Sequence, residues 1–141
     1  MERRWYFLVS PPLSPSAWAD LKLSLETALK DWNAHGRLIP YELHLHYSRL
    51  IEIKAHGSVS GCAIDDLFRK VRHSLTEKGL SLLPTDHVLV IRNENIFTEK
   101  FFQIIKSYKL GLWRPEWRIV QTDESGVREV ALEESSLAIH L

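Results

Sequence analysis

The chain has 141 residues, of which 45% are apolar and 26% are charged. This size and composition are typical of a single soluble globular domain with its own core, and they exclude a chain that is disordered over most of its length. The 18 basic and 18 acidic residues give a formal net charge of zero. The basic excess of a general nucleic-acid binder is therefore missing, and we predict no nucleic-acid partner.

Three features of the sequence bear on location. The apolar run at residues 5–9 is about five residues long and stops at Pro11 and Pro12, whereas the hydrophobic region of a signal peptide needs roughly 7–15 residues. No segment approaches the roughly 18 apolar residues of a membrane-spanning helix. The single cysteine excludes an intramolecular disulfide. We therefore expect a cytoplasmic protein with no membrane partner.

The first elements follow from the spacing of apolar residues. Residues 5–9 are predicted to form a buried strand. Ser14 and Pro15 make a favourable helix start, because a serine side chain accepts hydrogen bonds from free helix amides and proline fits the first helical position. Gly36 is the predicted end of this helix. One face of the helix is apolar and consists of Trp18, Leu21, Leu25, Ala28, Leu29 and Trp32.

A strict alternation of apolar and polar residues follows over residues 41–47 and 51–56. Alternation with period two is typical of strands that bury one face, so we predict a hairpin with its loop at residues 48–50. That loop places Leu45 opposite Ile53, which keeps apolar side chains on the same face of the pair.

The rest of the chain alternates between helix and strand signals. The second helix has apolar residues at helical spacing, and the last two strands are separated by a polar turn. In chain order, the predicted segments are a turn at residues 57–61, a helix ending at Gly79, a strand at residues 87–91, a helix from Thr98 to near Gly111, and a hairpin of residues 117–121 and 127–132.

The order strand, helix, strand, strand, helix, strand over residues 1–92 is the ferredoxin-like βαββαβ pattern, an antiparallel sheet with both helices on one face. We therefore predict an α+β fold with this core. A C-terminal helix and β-hairpin over residues 93–141 would decorate the core within one domain, residues 1–141. This arrangement hosts many unrelated activities, so function has to be argued from individual residues.

Cys62 is the first candidate for chemistry. It enters the second helix, where free amides and the positive end of the helix dipole favour a thiolate. His35 would approach it if the two helices run antiparallel on one face of the sheet, and Asp65 could orient a histidine or cap the helix. The alternative is that Cys62 is an inert core residue and Ser60 an ordinary helix cap.

Three histidines form a second candidate. His44 and His46 project from the same face of one strand about 7 Å apart, and His56 lies on the partner strand, so the set has donors for zinc or another transition metal. The alternative is a solvated surface on which His46 faces Glu52 and His56 faces Glu42. No Gly-rich phosphate loop, GxSxG or HExxH motif occurs, and we predict no cofactor.

A third candidate is the loop that contains Trp113 and Trp117. These residues flank Arg114, Pro115 and Glu116, and exposed aromatic and arginine side chains are frequent anchors for a binding partner. The alternative is that both tryptophans close the core.

Two short strings, Trp32-x-Ala34-His35-Gly36 and Ser60-Gly61-Cys62-x-Ile64-Asp65, resemble a bacterial family of small uncharacterised proteins, some of which are described as ABC-transporter ATPases. The resemblance covers roughly residues 28–75. The chain departs from the family pattern at Ala63 and His56, where the pattern has serine and aspartate. ATPase activity is not expected, because the chain has no GxxxxGKS/T loop to hold phosphates. The resemblance directs attention to His35, Gly36, Ser60, Gly61, Cys62 and Asp65 as a group. It implies no particular reaction, and the group either is catalytic or fixes the packing of the two helices.

Together these features favour a small binding or interaction module that docks through a sheet edge or the 113–117 loop, with self-association as one expected use. The first alternative is a thiol-dependent enzyme or redox protein in which Cys62 is the nucleophile and His35 the base. Ser60 and the helix amides would then hold an anion. The second alternative is metal binding through the three histidines.

Overall fold

The structure is a computed structural model that describes residues 1–141. The chain divides into two units, Met1–Leu83 and Pro84–Leu141, each with its own sheet and its own buried core. The boundary falls before residue 92, where the sequence pattern ended the βαββαβ core, because the strand at residues 87–92 pairs within the second unit. None of the three α-helices is long and apolar enough to cross a membrane.

The first unit is α+β, as predicted. Its elements in chain order are β1 (Glu2–Ser10), α1 (Pro15–Ala28), β2 (Asn33–Ala34), β3 (Arg37–Leu38), β4 (Tyr41–His46), β5 (Leu50–His56), α2 (Gly61–Glu77) and β6 (Ser81–Leu82). Four strands form an antiparallel sheet in the order β4-β5-β1-β6, and β2 and β3 form a separate hairpin.

Helix α1 begins as predicted and ends early. The Ser14 side chain accepts a hydrogen bond from the amide of Ala17 at 3.1 Å, and Pro15 occupies the first turn. The helix stops at Ala28, well before the predicted end at Gly36. Gly36 instead lies in the turn of the β2–β3 hairpin, so its positive φ serves a strand turn and not a helix end.

The core of the first unit lies between one face of its sheet and the helices α1 and α2. Alternate residues of β1 and β5 point into it, which is the period-two pattern seen in the sequence. Its fully buried members include Phe7, Val9, Leu21, Leu25, Ile51, Ile53, Leu67 and Val71.

The β4–β5 hairpin has a different register from the predicted one. Leu45 pairs with Ile51, two residues away from the expected partner Ile53. The reason is the turn, in which Tyr47 and Ser48 take φ values of 56° and 59°. Two successive positive φ values are typical of the tight turns that match strand twist, so the turn begins one residue earlier than the sequence suggested.

The second unit has a smaller core, formed by Val90, Ile104, Ile119 and Leu132. Its elements are β7 (His87–Arg92), β8 (Asn95–Lys100), α3 (Phe101–Lys109), β9 (Arg118–Asp123) and β10 (Gly126–Val130), followed by two 3-10 turns, Leu132–Glu134 and Ser136–His140. The sheet order is β10-β9-β7-β8. The β9–β10 hairpin was predicted.

Two predictions for this half of the chain were wrong. Thr98 does not cap α3, because it lies in β8 opposite Leu89, and the helix begins at Phe101. The strand at residues 87–91 does not complete the first sheet. It is central to the second sheet, between β8 and β9, and the edge next to β1 is taken by the two-residue strand β6.

Candidate functional site: the Cys62 pocket

The start of α2 is fixed in the first unit by Trp32. This residue is buried, and its indole N–H donates a hydrogen bond of 2.8 Å to the carbonyl of Ala63. Its ring also makes edge contacts with the rings of Trp5 and Tyr41. A buried donor is costly unless it is paired, so this bond holds the segment after α1 against the first turn of α2.

The first turn of α2 leaves backbone amides available. The Ser60 side chain accepts a hydrogen bond from the Ala63 amide at 3.2 Å, and the Ser60 carbonyl accepts one from the Ile64 amide at 3.0 Å. The amides of Gly61 and Cys62 precede the first intrahelical bond, as at every helix start. No acidic residue lies in this turn. The helix start therefore presents the positive end of the dipole together with the Cys62 thiol.

His35 reaches this region on the β2–β3 hairpin. His35 and Gly36 form its two-residue turn with φ values of 53° and 81°, the combination that suits a tight hairpin. The Asn33 side chain accepts a hydrogen bond from the Gly36 amide at 3.3 Å and stabilises the turn. His35 is thus at an exposed hairpin tip, not at the end of a helix as predicted.

A pocket of about 460 Å³ brings these residues together. Cys62 is exposed, which overturns the alternative that it is a core residue. His35 shares the pocket with Cys62, although no hydrogen bond joins the two side chains. The lining consists of Asn33, His35, Ser60, Gly61, Cys62, Ala63 and Asp66.

The carboxylate in this pocket is Asp66 and not the predicted Asp65. Asp65 is exposed and does not line the pocket. Neighbouring residues on a helix point about 100° apart, so a shift of one position changes which side chain faces a site. Asp66 contacts Lys70 at 3.1 Å and also pairs with Arg69. These two cations offset the repulsion that the carboxylate would exert on an anion at the helix start.

Lys70 links the pocket to the segment after α1. Burial alone would lower the pKa of Lys70, but its hydrogen bonds with Asp31 and Asp66 outweigh burial and raise that pKa above its ordinary value. The Asp31 contact is 2.8 Å, and the hydrogen bond from Lys70 lowers the pKa of Asp31. The ammonium therefore stays charged beside the pocket at neutral pH.

The three histidines on the outer face of the sheet do not form a metal site. His44 and His56 contact Glu42 at 3.3 and 2.6 Å, and His46 contacts Glu52 at 2.8 Å. No group of three or more His, Cys, Asp or Glu side chains is placed to hold a metal ion. The reason is that each ring is directed at a carboxylate partner, as in the alternative interpretation of this face.

Trp113 and Trp117 in the second unit are half-buried and contact each other edge to face at 5.2 Å. The Arg92 guanidinium lies 4.4 Å from the centre of the Trp117 ring and donates a hydrogen bond to Glu99 at 2.7 Å. Trp113 also packs against the core of this unit. Both rings therefore serve internal packing, and the partner-binding interpretation of Trp113 and Trp117 loses its main support.

Comparisons with protein-family models, with curated proteins and with solved structures found no match to this chain.

Three residues of the pocket lining were not among the predicted site residues, namely Ala63 and the polar residues Asn33 and Asp66. Asn33 would have been visible as a short polar side chain three residues before Gly36, a frequent turn pattern. Predicting Asp66 would have required knowledge of how α2 is rotated about its own axis, and that rotation is set by packing. Gly36 is a turn residue and does not line the pocket. Gly61 is the first residue of α2 and does line it.

Proposed function

We propose that the first unit is a thiol-dependent enzyme or redox protein that acts through Cys62. The observation that carries this proposal is the shared pocket of an exposed Cys62 and His35 at the start of α2. An exposed thiol beside a histidine and free helix amides has the components of a nucleophilic site.

The proposed step transfers a group from an electrophilic ligand to Cys62. The Sγ–H proton moves to the His35 ring, directly or through a water molecule, and Sγ forms a bond to the electrophilic carbon. The leaving group departs with its electron pair and takes the proton back from His35. An anionic part of the ligand would be held by Ser60 and by the amides of Gly61 and Cys62.

The test is the alkylation rate of Cys62 by neutral iodoacetamide and by anionic iodoacetate in the native protein. We expect native Cys62 to react faster than in the urea-unfolded chain, with the larger gain for iodoacetate because the helix start attracts anions. His35→Ala should slow both reactions about tenfold or more. His73→Ala is the matched control, since His73 is an exposed residue of α2 outside the pocket. Equal rates in native and unfolded protein, unchanged by His35→Ala, would contradict the proposal.

The second candidate function is an interaction module without catalysis. Its support is in the second unit, where Leu110 and Leu112 are 62% and 63% exposed directly before Trp113. Exposed leucines close together in sequence suit a protein-binding surface. A Leu110→Ser, Leu112→Ser double variant should then lose binding partners that Ile139→Ser retains. Ile139 is an exposed apolar residue of the same unit. The same bound proteins for both variants would count against this function.

We further propose that the first unit is a ferredoxin-like βαββαβ unit whose fourth strand is β6. The support is the sheet order β4-β5-β1-β6 with antiparallel neighbours and helices after β1 and β5. The exposed free thiol suits a reducing compartment, which supports a cytoplasmic location. Kinship with the bacterial family that shares the two strings is likewise a proposal, supported by the Trp32–Ala63 hydrogen bond that joins both strings.

A further inference from the structure

Strand β4 is an end strand of the first unit's sheet, so only one of its two edges is paired. The Pro40 carbonyl accepts a hydrogen bond from the His56 amide at 2.9 Å, and this bond fixes the phase of the ladder. Even-numbered residues of β4 bond to β5, because hydrogen-bonded pairs alternate along an antiparallel ladder. The N–H and C=O groups of Tyr41, Leu43 and Leu45 therefore point out along the free edge.

This edge lacks three of the features that commonly protect an end strand. The six residues of β4 contain no proline and no lysine, and they pair with β5 from Tyr41 to His46 without a bulge. The side chains of Tyr41, Leu43 and Leu45 pack on the core side and are only half-buried. A regular edge with outward-directed backbone groups is a template for another strand.

We infer that β4 pairs with β4 of a second copy of this chain, antiparallel about a two-fold axis at Leu43. In this register Tyr41 of one copy faces Leu45 of the other, and Leu43 faces itself. These are the residues whose backbone groups point outward, so each pair can exchange two N–H···O bonds. The apolar side chains of the three pairs lie on the same face as the core of each copy.

The polar side chains on the outer face favour this register and a second copy of the same strand. About Leu43, each Glu42 lies opposite His44 of the other copy on the outer face, so two complementary pairs form. An axis at Glu42 would place two carboxylates opposite each other, and an axis at His44 would place two imidazoles opposite each other. Both Glu42 and His44 have more than a third of the side chain exposed, at 42% and 46%. A strand that is complementary to itself in one register suits a closed two-fold dimer.

The test measures self-association of the full chain by sedimentation equilibrium over a dilution series, for the wild type and two variants of His44. We expect the wild type to approach twice the 16.4-kDa chain mass as concentration rises. His44→Glu should raise the dissociation constant about tenfold, because two attractive pairs become repulsive. His44→Lys places a cation opposite Glu42 and should dimerise at least as well. Circular dichroism checks that both variants are folded.

Amide hydrogen exchange locates the contact in the wild-type protein. In a β4-paired dimer the amides of Tyr41, Leu43 and Leu45 exchange more slowly as concentration rises. The amides of Glu42 and His44 bond to β5 and should not respond, which gives an internal control. A wild type that stays monomeric would overturn the inference. So would a dimer that His44→Glu leaves intact, or edge amides that exchange at the same rate at every concentration.

Discussion

The two units use a tryptophan in opposite ways. In the first unit Trp32 is 1% exposed, and its N–H donates to Ala63 at 2.8 Å inside a large apolar core. In the second unit the core is small, and Trp117 packs against the Arg92 guanidinium. The N–H of Trp117 is buried without a hydrogen-bond partner, as is Nε of Arg92.

This difference implies that the side-chain arrangement is more tightly specified in the first unit than in the second. A paired buried donor specifies one arrangement, whereas an unpaired one costs about 1–3 kcal/mol and specifies nothing. The Cys62 pocket is built against Trp32, so its position depends on the large core. The packing of the Arg92 guanidinium on the surrounding aromatic rings requires a less exact geometry than a hydrogen bond, because stacking of a cation on a ring tolerates small displacements.

The largest expected effect is the contrast between two matched variants. Trp32→Phe should lower the free energy of unfolding of its unit by about 3 kcal/mol, because it leaves a cavity and removes the buried hydrogen bond to the Ala63 carbonyl. Trp117→Phe should cost about 1 kcal/mol or less, since it removes an N–H that has no acceptor and keeps a ring for Arg92. Urea unfolding followed by circular dichroism measures both. Equal losses of stability in the two variants would contradict the proposed difference between the two units.

A smaller effect separates the two glycines near the pocket. Gly36 has φ of 81° and no atom within 4 Å of an added Cβ, so Gly36→Ala should cost about 1–2 kcal/mol from backbone strain alone. Gly61 has equal space and no positive φ, so Gly61→Ala should be neutral or stabilise by a few tenths of a kcal/mol. Urea midpoints give the values. Iodoacetamide rates show whether Gly36→Ala also displaces His35. A loss of stability for Gly61→Ala would contradict the helix-start conformation assigned to Gly61.

The smallest effect is the response of each unit to acid. The hydrogen bond from His56 lowers the pKa of Glu42 in the first unit. In the second unit the Ser125 amide and then Arg128 lower the pKa of Asp123. A carboxyl whose pKa falls on folding adds stability above its unfolded pKa, and this stability is lost as pH falls through the folded value.

Glu42→Gln and Asp123→Asn should therefore each destabilise at neutral pH, by an amount that disappears in acid. The measurement is the urea midpoint of each variant relative to the wild type as pH is lowered. A difference that stays constant down to acid pH would mean that the carboxylate charge contributes nothing.

The sequence predicted those elements whose signals are local. Ser14 with Pro15 marked the start of α1, and alternation over residues 41–56 marked a hairpin. It could not predict the register, which depends on two positive φ values at Tyr47 and Ser48, residues with no special preference for that conformation. The short strands β2, β3 and β6 were missed, because two residues carry no periodic pattern. Strand β8 was missed as well, since its second half was predicted as the start of α3.

The candidate site likewise has features that local sequence signals predicted and features that they did not. A cysteine at a helix start and a histidine before a glycine are visible in the sequence, and the structure brings Cys62 and His35 to one pocket. The element that carries His35 differs from the predicted one, since His35 lies on a hairpin turn and not at the end of a helix. The exchange of Asp65 for Asp66 follows from the rotation of α2, which its buried face sets.

By itself, the sequence determined the class of the fold, most helix and strand positions, and the segment that contains the candidate site. Tertiary structure decided which strand pairs with which, and it assigned residues 87–92 to the second sheet. The physical reason is the sequence separation over which each interaction acts. Helix caps and period-two alternation act between neighbours in the chain, whereas strand partners, helix rotation and the burial of Trp32 depend on contacts between residues far apart in sequence.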